Sequence, residues 1–154
     1  PPVNIGINTR ERVKDKNEKE RLVIFMEFKL YRCAHCGNIA FKAVDKGVPL
    51  FCCGQKMEEL VPNTTDGALE KHVPVVEKNA HGSGNSVTVK VGSVEHPMLP
   101  EHYIPLIAAV TEDTVVLKFP KPGDKPELKT FVYGDEKVTA YELCNLHGFW
   151  KGEG

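Results

Sequence analysis

The sequence has almost no net charge, no long apolar run and no internal repeat, and these absences narrow its function. Its 20 basic and 21 acidic residues leave a formal net charge of -1, which argues against a nucleic-acid binder that relies on a basic surface. The longest apolar run near the start, residues 22–26, is shorter than a membrane span or the apolar region of a signal peptide. We therefore expect a cytoplasmic protein that binds neither nucleic acid nor membrane.

Cysteines are few but clustered, and they are the strongest functional signal. Their number is five, which is odd and so does not fit a simple disulfide framework. Four of them lie within 21 positions, and the fifth lies close to the end of the sequence. In a reducing cytoplasm, such a cluster predicts metal binding before disulfides.

The chain divides into three segments by composition. Residues 1–25 are highly charged, with ten charged side chains among the twelve from Arg10 to Arg21. Because this run has almost no apolar face, we expect a flexible or weakly helical extension. Residues 26–61 predict a small module, which is too short to be stable without a metal staple. Residues 62–154 predict a compact domain.

Both of the later segments read as all-β. In the module, the pattern predicts strands at 28–32, 39–44 and 48–51, with a turn at Asp45-Lys46-Gly47. In the second domain, the alternation of Val87, Val89 and Val91 is typical of a strand with one buried face. Short strands with regular turns predict a β-sandwich there. The predicted strands of this domain are 73–77, 86–92, 104–111, 114–119, 128–133 and 137–143.

The first candidate metal site consists of four cysteines. Cys33 and Cys36 form a C-x-x-C pair followed by Gly37, a spacing that lets a tight turn direct two sulfurs at one ion. Cys52 and Cys53 supply the other two ligands, and adjacent ligands require a bend in the local backbone. A tetrahedral site of four thiolates fits iron or zinc. A purely structural zinc knuckle and a disulfide framework are the alternatives.

The second candidate site combines imidazoles with the last cysteine. Cys144-Asn145-Leu146-His147 brings a thiolate and an imidazole into one turn after a strand. His96 and His102 lie six apart in a proline-containing loop, and His72 stands at the entrance to a strand. His81, in a glycine-rich turn, is left out. Five ligands exceed the usual four of zinc, whereas iron accepts five and keeps one position open.

These residues together resemble desulfoferrodoxin, the two-iron class of superoxide reductase. The resemblance covers about residues 27–151 and leaves the charged extension unexplained. It is carried by the four clustered cysteines and by motifs that match in order and spacing. These motifs are Glu70-Lys71-His72-Val73-Pro74, Gly92-Ser93-Val94-Glu95-His96-Pro97-Met98, Glu101-His102 and Cys144-Asn145-Leu146-His147-Gly148.

The resemblance implies a fold, a ligand set and partners. The fold would be a small desulforedoxin-like metal module followed by an immunoglobulin-like β-sandwich, with two iron ions per chain and a homodimeric assembly. Electrons would come from a small donor such as rubredoxin. Cys144 would be the axial ligand of a square-pyramidal iron, opposite the open position. The implied equatorial ligands are His72, His96, His102 and His147.

The resemblance also implies a reaction, which is the one-electron reduction of superoxide to hydrogen peroxide. Lys71 would attract the anion at the entrance, and Glu70 would be the sixth ligand of the resting ferric iron. We expect the backbone amides of Leu146 and His147 to donate hydrogen bonds to the sulfur of Cys144. Three alternatives remain at this point: an electron carrier without a substrate, a structural zinc protein, and a superoxide dismutase.

Overall fold

The described part of the chain is almost entirely β-structure. In the computed structural model, the described residues are 7–14 and 20–154, with side chains from Glu27 onward. The chain forms two compact units, Pro1–Val61 and Pro62–Gly154. No helix in residues 7–14 or 20–154 is long and apolar enough to cross a membrane.

Two paired strands lie in the charged extension. Strands β1 (Ile7–Lys14) and β2 (Glu20–Met26) pair antiparallel. The expectation of a weak helix is wrong for these two segments, because residues 22–25 favour a strand and the paired strands satisfy each other's backbone groups. The prediction of flexibility for residues 1–6 and 15–19 falls outside the described residues.

The rest of the first unit is a set of very short strands. β3 pairs with β4 on one side and β7 on the other, and β5 pairs with β6 in a separate hairpin. The predicted strands at 39–44 and 48–51 are wrong over most of their length, because Lys42 closes a loop there. Its ammonium group contacts Asp45 Oδ1 at 2.8 Å and Val48 O at 2.7 Å. The strands are β3 (Leu30–Arg32), β4 (Ile39–Ala40), β5 (Phe51–Cys52), β6 (Gln55–Lys56) and β7 (Glu58–Leu60).

The core of this unit is small. Among residues 27–61, the buried apolar side chains are Phe28, Leu30, Cys33 and Met57. So few buried groups supply little hydrophobic free energy against the conformational entropy of ordering the chain. A core this small among residues 27–61 is compatible with the expected metal staple, which stays a prediction.

The second unit is a seven-stranded β-sandwich. One sheet has the order β11-β10-β13-β14, and the other has the order β12-β9-β8. A single helical turn, α1 (Leu69–His72), precedes the first strand. The strands are β8 (Pro74–His81), β9 (Gly84–Val91), β10 (Leu106–Val110), β11 (Val115–Lys118), β12 (Glu127–Tyr133), β13 (Thr139–Cys144) and β14 (Gly148–Glu153). The all-β prediction and the sandwich are confirmed.

The sandwich encloses a continuous apolar core. Val87, Val89 and Val91 are all buried, so the predicted alternation along β9 is confirmed. The opposite sheet contributes Ile107 and Ala109 from β10. The same core includes Ala140 and Cys144 of β13. Because side chains alternate along a strand, Glu142 points into the interior as well.

Truncation of the core should destabilise the sandwich. Ile107 is fully buried, and replacing such a residue by alanine typically costs about 2–5 kcal/mol of the free energy of unfolding. We expect a loss of this size for Ile107→Ala, measured by denaturant unfolding of the second unit. Val94→Ala, at an exposed position, is the control and should change little. Equal effects of the two substitutions would contradict the assignment of the core.

Candidate metal centres

The four clustered cysteines converge at one point of the first unit. Their sulfurs all lie within 4.8 Å of one another. The sulfurs of Cys36 and Cys52 are 3.6 Å apart, and those of Cys52 and Cys53 are 3.9 Å apart. All five cysteines of the chain are free in this structure, and the convergence of four sulfurs on one point favours a metal site over disulfides.

A tight turn prepares the first pair of cysteines. The backbone N–H of Gly37 donates to Cys33 O at 2.9 Å, and Gly37 takes a positive φ of 78°. In this turn the backbone N–H groups of Cys36 and His35 donate to the Cys33 sulfur, and chiefly for that reason the pKa of Cys33 falls to about 6. The amides favour the thiolate, which is the form that binds metal.

A two-residue turn allows the adjacent cysteines to share one ion. Cys53 and Gly54 connect β5 to β6 with φ values of 52° and 75°. Both central residues have positive φ, which is the turn that suits a tight hairpin. The bend predicted for the adjacent ligands is confirmed. The pKa of Cys53 rises to about 12, mainly through the hydrogen bond between its side chain and Cys36, so a bound cation is needed to hold all four groups as thiolates.

Four histidines form a square in the second unit. Each imidazole lies beside two others, and the four ring-to-ring distances are nearly equal. The centroid distances around the square are 4.8 Å for His72–His96, 4.6 Å for His96–His102, 4.9 Å for His102–His147 and 4.9 Å for His147–His72. The donor atoms of three of these histidines and of Cys144 lie within 4.8 Å of one another, and His102 joins them by its ring contacts with His96 and His147.

Cys144 places a single sulfur against this square. Its Sγ is 3.6 Å from His96 Nε2 and 3.7 Å from His147 Nδ1. Burial raises the pKa of the thiol, while the backbone N–H groups of His147 and Leu146 lower it by donating to the sulfur. The two predicted amide donors are therefore confirmed.

Hydrogen bonds on the far side of the rings fix which nitrogen faces the centre. His72 Nδ1 contacts Glu142 Oε1 at 3.2 Å, and His96 Nδ1 contacts Pro97 O at 2.6 Å. These contacts leave Nε2 of both rings free to bind metal. Nε2 of His102 is buried without a hydrogen-bond partner, which marks it as the inward nitrogen of that ring. His147 differs, since its Nδ1 faces the sulfur.

The buried histidines are neutral near pH 7. Burial is the main cause that lowers the pKa of His72 to about 4 and the pKa of His96 to about 4. The pKa of His102 is also lowered by burial. Neutral imidazoles keep the lone pair that a metal requires. The positive charge of Lys71, exposed on α1, contributes to the lowering at all three rings, so its field reaches the site.

The donor set fits a five-coordinate iron. Four imidazole rings at nearly equal spacing and one thiol sulfur exceed the four ligands of a tetrahedral zinc site. Nε2 of His102 has no hydrogen-bond partner. Because buried polar atoms normally have one, this nitrogen would be desolvated without compensation unless it bound an ion. His81, which the sequence prediction leaves out, is exposed and contacts Phe131 instead.

Comparison with known proteins agrees with both centres. The family model for desulfoferrodoxin matches residues 64–153. Desulfoferrodoxin of Nitratidesulfovibrio vulgaris is 47% identical over 127 residues, which are 82% of this chain and 97% of that protein. Desulfoferrodoxin of Desulfarculus baarsii is 45% identical over 125 residues, covering 80% and 94% of the two chains. The chain belongs to the desulfoferrodoxin family.

A solved structure of a superoxide reductase has a similar fold. The crystal structure of the superoxide reductase from Treponema pallidum matches with a TM-score of 0.64 and 37% sequence identity, over 82% of this chain and 98% of that one. As a desulfoferrodoxin, the chain has the two expected iron sites, one of four cysteines and one of four histidines and a cysteine.

Three residues of the site were not found from the sequence. Glu142 holds His72, Trp150 stacks on the same ring with centroids 4.9 Å apart, and Gly67 packs against both Trp150 and His72. Glu142 lies two residues before Cys144 on β13, so strand alternation could have placed it on the same face. Trp150 reaches His72 and Gly67 from a distant part of the chain, and no local pattern indicates these contacts.

Removal of one histidine ligand should cause loss of iron from the second centre only. We expect His147→Ala to reduce bound iron from two ions per chain to one, because the variant loses one nitrogen ligand and disturbs the turn that holds Cys144. Metal analysis and the absorption spectrum of each centre measure the change. His81→Ala is the matched control and should keep both irons. Retention of both irons by the His147 variant would refute this ligand set.

Proposed function

We propose that this chain is a superoxide reductase, which combines superoxide with one electron and two protons and releases hydrogen peroxide. The proposal is carried by the square of four imidazoles with a single sulfur, because five donors arranged in this way leave a sixth position for substrate. It is supported by the 37% identity with the superoxide reductase from Treponema pallidum.

The ligands prepare the site for an anion. When bound, ferrous iron supplies the electron, and with one thiolate and four neutral imidazoles it gives the site a single positive charge. The low pKa of about 4 at His72 and at His96 keeps those rings neutral, so protonation does not compete with the metal near pH 7. Superoxide, a monoanion, neutralises the site.

Cys144 favours reduction over dismutation. A thiolate ligand stabilises the oxidised metal and so lowers its reduction potential. The oxidised site is then a poor oxidant of a second superoxide, which a dismutase must oxidise. The hydrogen bonds from Leu146 and His147 to the sulfur moderate the charge that it donates.

Lys71 attracts the substrate and Glu70 closes the site. Lys71 is exposed beside His72, and its charge acts on three of the four imidazoles. A cation at this place raises the local concentration of superoxide and orders the water that delivers protons to the product. Glu70 precedes Lys71 on α1. The backbone O of Glu70 accepts a hydrogen bond from the backbone N–H of Val94 at 2.9 Å. We assign its carboxylate to the open position in the resting state.

The four-cysteine centre and the partner molecules support the reaction without binding superoxide. Four thiolates fill the shell of the first ion, so this centre relays electrons or holds the module rather than binding substrate. A small donor such as rubredoxin supplies the electron. Homodimer formation is supported by apolar side chains that the described part of the small unit leaves exposed, which include Ile39, Phe41, Val44, Val48 and Phe51. Five free cysteines fit a reducing compartment, the cytoplasm.

The yield of peroxide and oxygen tests the reaction. Pre-reduced, iron-loaded protein should give one peroxide per superoxide and no enzymatic oxygen. Half that yield of peroxide with a matching amount of oxygen would identify a dismutase and contradict the role of Cys144. An absence of turnover with both irons reducible would favour an electron carrier, and bound zinc in place of iron would favour a structural protein.

Replacement of Lys71 should slow substrate capture. Lys71→Ala is expected to lower the second-order rate constant with superoxide by up to about tenfold at low salt, at the low end of electrostatic steering effects. The difference should shrink as salt screens the charge. Lys71→Arg should keep the rate, and Lys129→Ala, at a strand position with an exposed side chain, should not affect it. A salt-independent or absent effect would remove Lys71 from the mechanism.

A further inference from the structure

Trp150 is the one tryptophan of the chain, and it is buried against the second centre. Its side chain on β14 is 1% exposed. Its ring lies nearly parallel to that of His72, at 11° with centroids 4.9 Å apart. Its Nε1–H donates to the backbone O of His147 at 2.9 Å. One indole therefore contacts two adjacent corners of the square.

The strand register explains how the indole reaches His72. Trp150 stands directly opposite Glu142 in the antiparallel pair of β13 and β14. Side chains of opposed residues lie on the same face of a sheet. The imidazole of His72 is consequently held on its edge by the Glu142 carboxyl group and on its face by the indole. Both contacts oppose rotation of the ring away from the centre.

The other two corners are held without the indole. His96 donates to the backbone O of Pro97, and His102 lies in a small bridge with Leu99, where both backbone N–H groups are bonded. Both belong to one loop between β9 and β10. His72 and His147 instead come from distant parts of the chain, so their relative position needs a connection that the loop does not give.

We propose that Trp150 is a positioning residue that fixes His72 and His147 relative to each other before metal binds. This inference rests on the proposed site in that both histidines are taken as ligands. An indole combines a flat face for stacking with an N–H that reaches the carbonyl group of the C-x-x-H turn. Phenylalanine offers only the face, and leucine offers neither. A site held in its productive geometry in advance binds its ligand more tightly.

Two substitutions separate these contributions. Trp150→Phe should keep the stacking and lose the hydrogen bond, and Trp150→Leu should lose both. We expect the affinity of the second centre for iron to fall by roughly 10-fold in the first and 100-fold in the second, the range for groups that orient metal ligands. Chelator competition measures the affinity. The electron paramagnetic resonance of the oxidised second centre should become more heterogeneous, while the four-cysteine centre serves as the unchanged internal control.

Gly67 offers an independent variant that keeps the indole. A Cβ at this position would lie 3.0 Å from Trp150 Cζ2 and 3.3 Å from His72 Cδ2. Gly67→Ala should therefore displace the stacked rings of Trp150 and His72. The electron paramagnetic resonance of the second centre should change although both side chains are still present. Iron affinity and resonance equal to wild type in all three variants would overturn the inference. If the tryptophan variants do not fold, Gly67→Ala and the next measurement decide.

The fluorescence of the single tryptophan tests the placement in the unmodified chain. Because the indole stacks on a ligand ring, ferrous iron added to metal-free protein should quench its emission in step with filling of the second centre. In His102→Ala, which leaves the contacts of Trp150 intact, the quenching should be largely lost. Equal quenching in both proteins, or none in the wild type, would contradict the placement. Since no readout uses superoxide, a failure of the proposed reaction would leave this result standing.

Discussion

The pairing of β13 with β14 is the interaction on which the second centre depends. Its register sets Glu142 opposite Trp150 and Cys144 opposite Gly148, and the turn between the strands carries His147. A slip of one residue would turn the carboxyl group and the sulfur to the outer face of the sheet, because side chains alternate along a strand. Gly148 permits the turn, since it has a φ of 79° and a Cβ at this position would lie only 2.5 Å from Thr65 Oγ1.

The two units differ in how much apolar surface they bury. The sandwich buries a continuous apolar core that includes Cys144, and His72 and His96 are buried as well. The small unit has four buried apolar residues in its described part, and its four cysteines lie in or next to the turns between its short strands, with Cys52 at the end of β5. In the small unit, metal binding would therefore add to the free energy of folding. In the sandwich, the apolar core and the strand register would position the ligands for the metal.

Local signals predicted the parts of the structure that are encoded locally. The alternation in β9, the turn at Asp45-Lys46-Gly47 and the C-x-x-C and C-x-x-H pairs depend on residues close in sequence. The short strands β6 and β7 and the terminal strand β14 have no clear alternation, and their pairing is set by partners elsewhere in the chain. The convergence of His72, His96 and His102 required the resemblance to a known family. Glu142 and Trp150 were missed because their contacts appear only when the register is known.

His147 turns Nδ1 toward Cys144, whereas His72 and His96 use Nδ1 for other contacts and leave Nε2 for the centre. Nδ1 is the ring nitrogen nearer the backbone, so this corner would bring its own main chain close to a bound ion. Cys144 and His147 would then hold the ion from within one turn, whose amides reach the sulfur. Attachment through Nε2 would move the peptide outward and withdraw those donors. The nitrogen that His147 presents would therefore decide whether the hydrogen bonds that moderate the charge of the sulfur are kept.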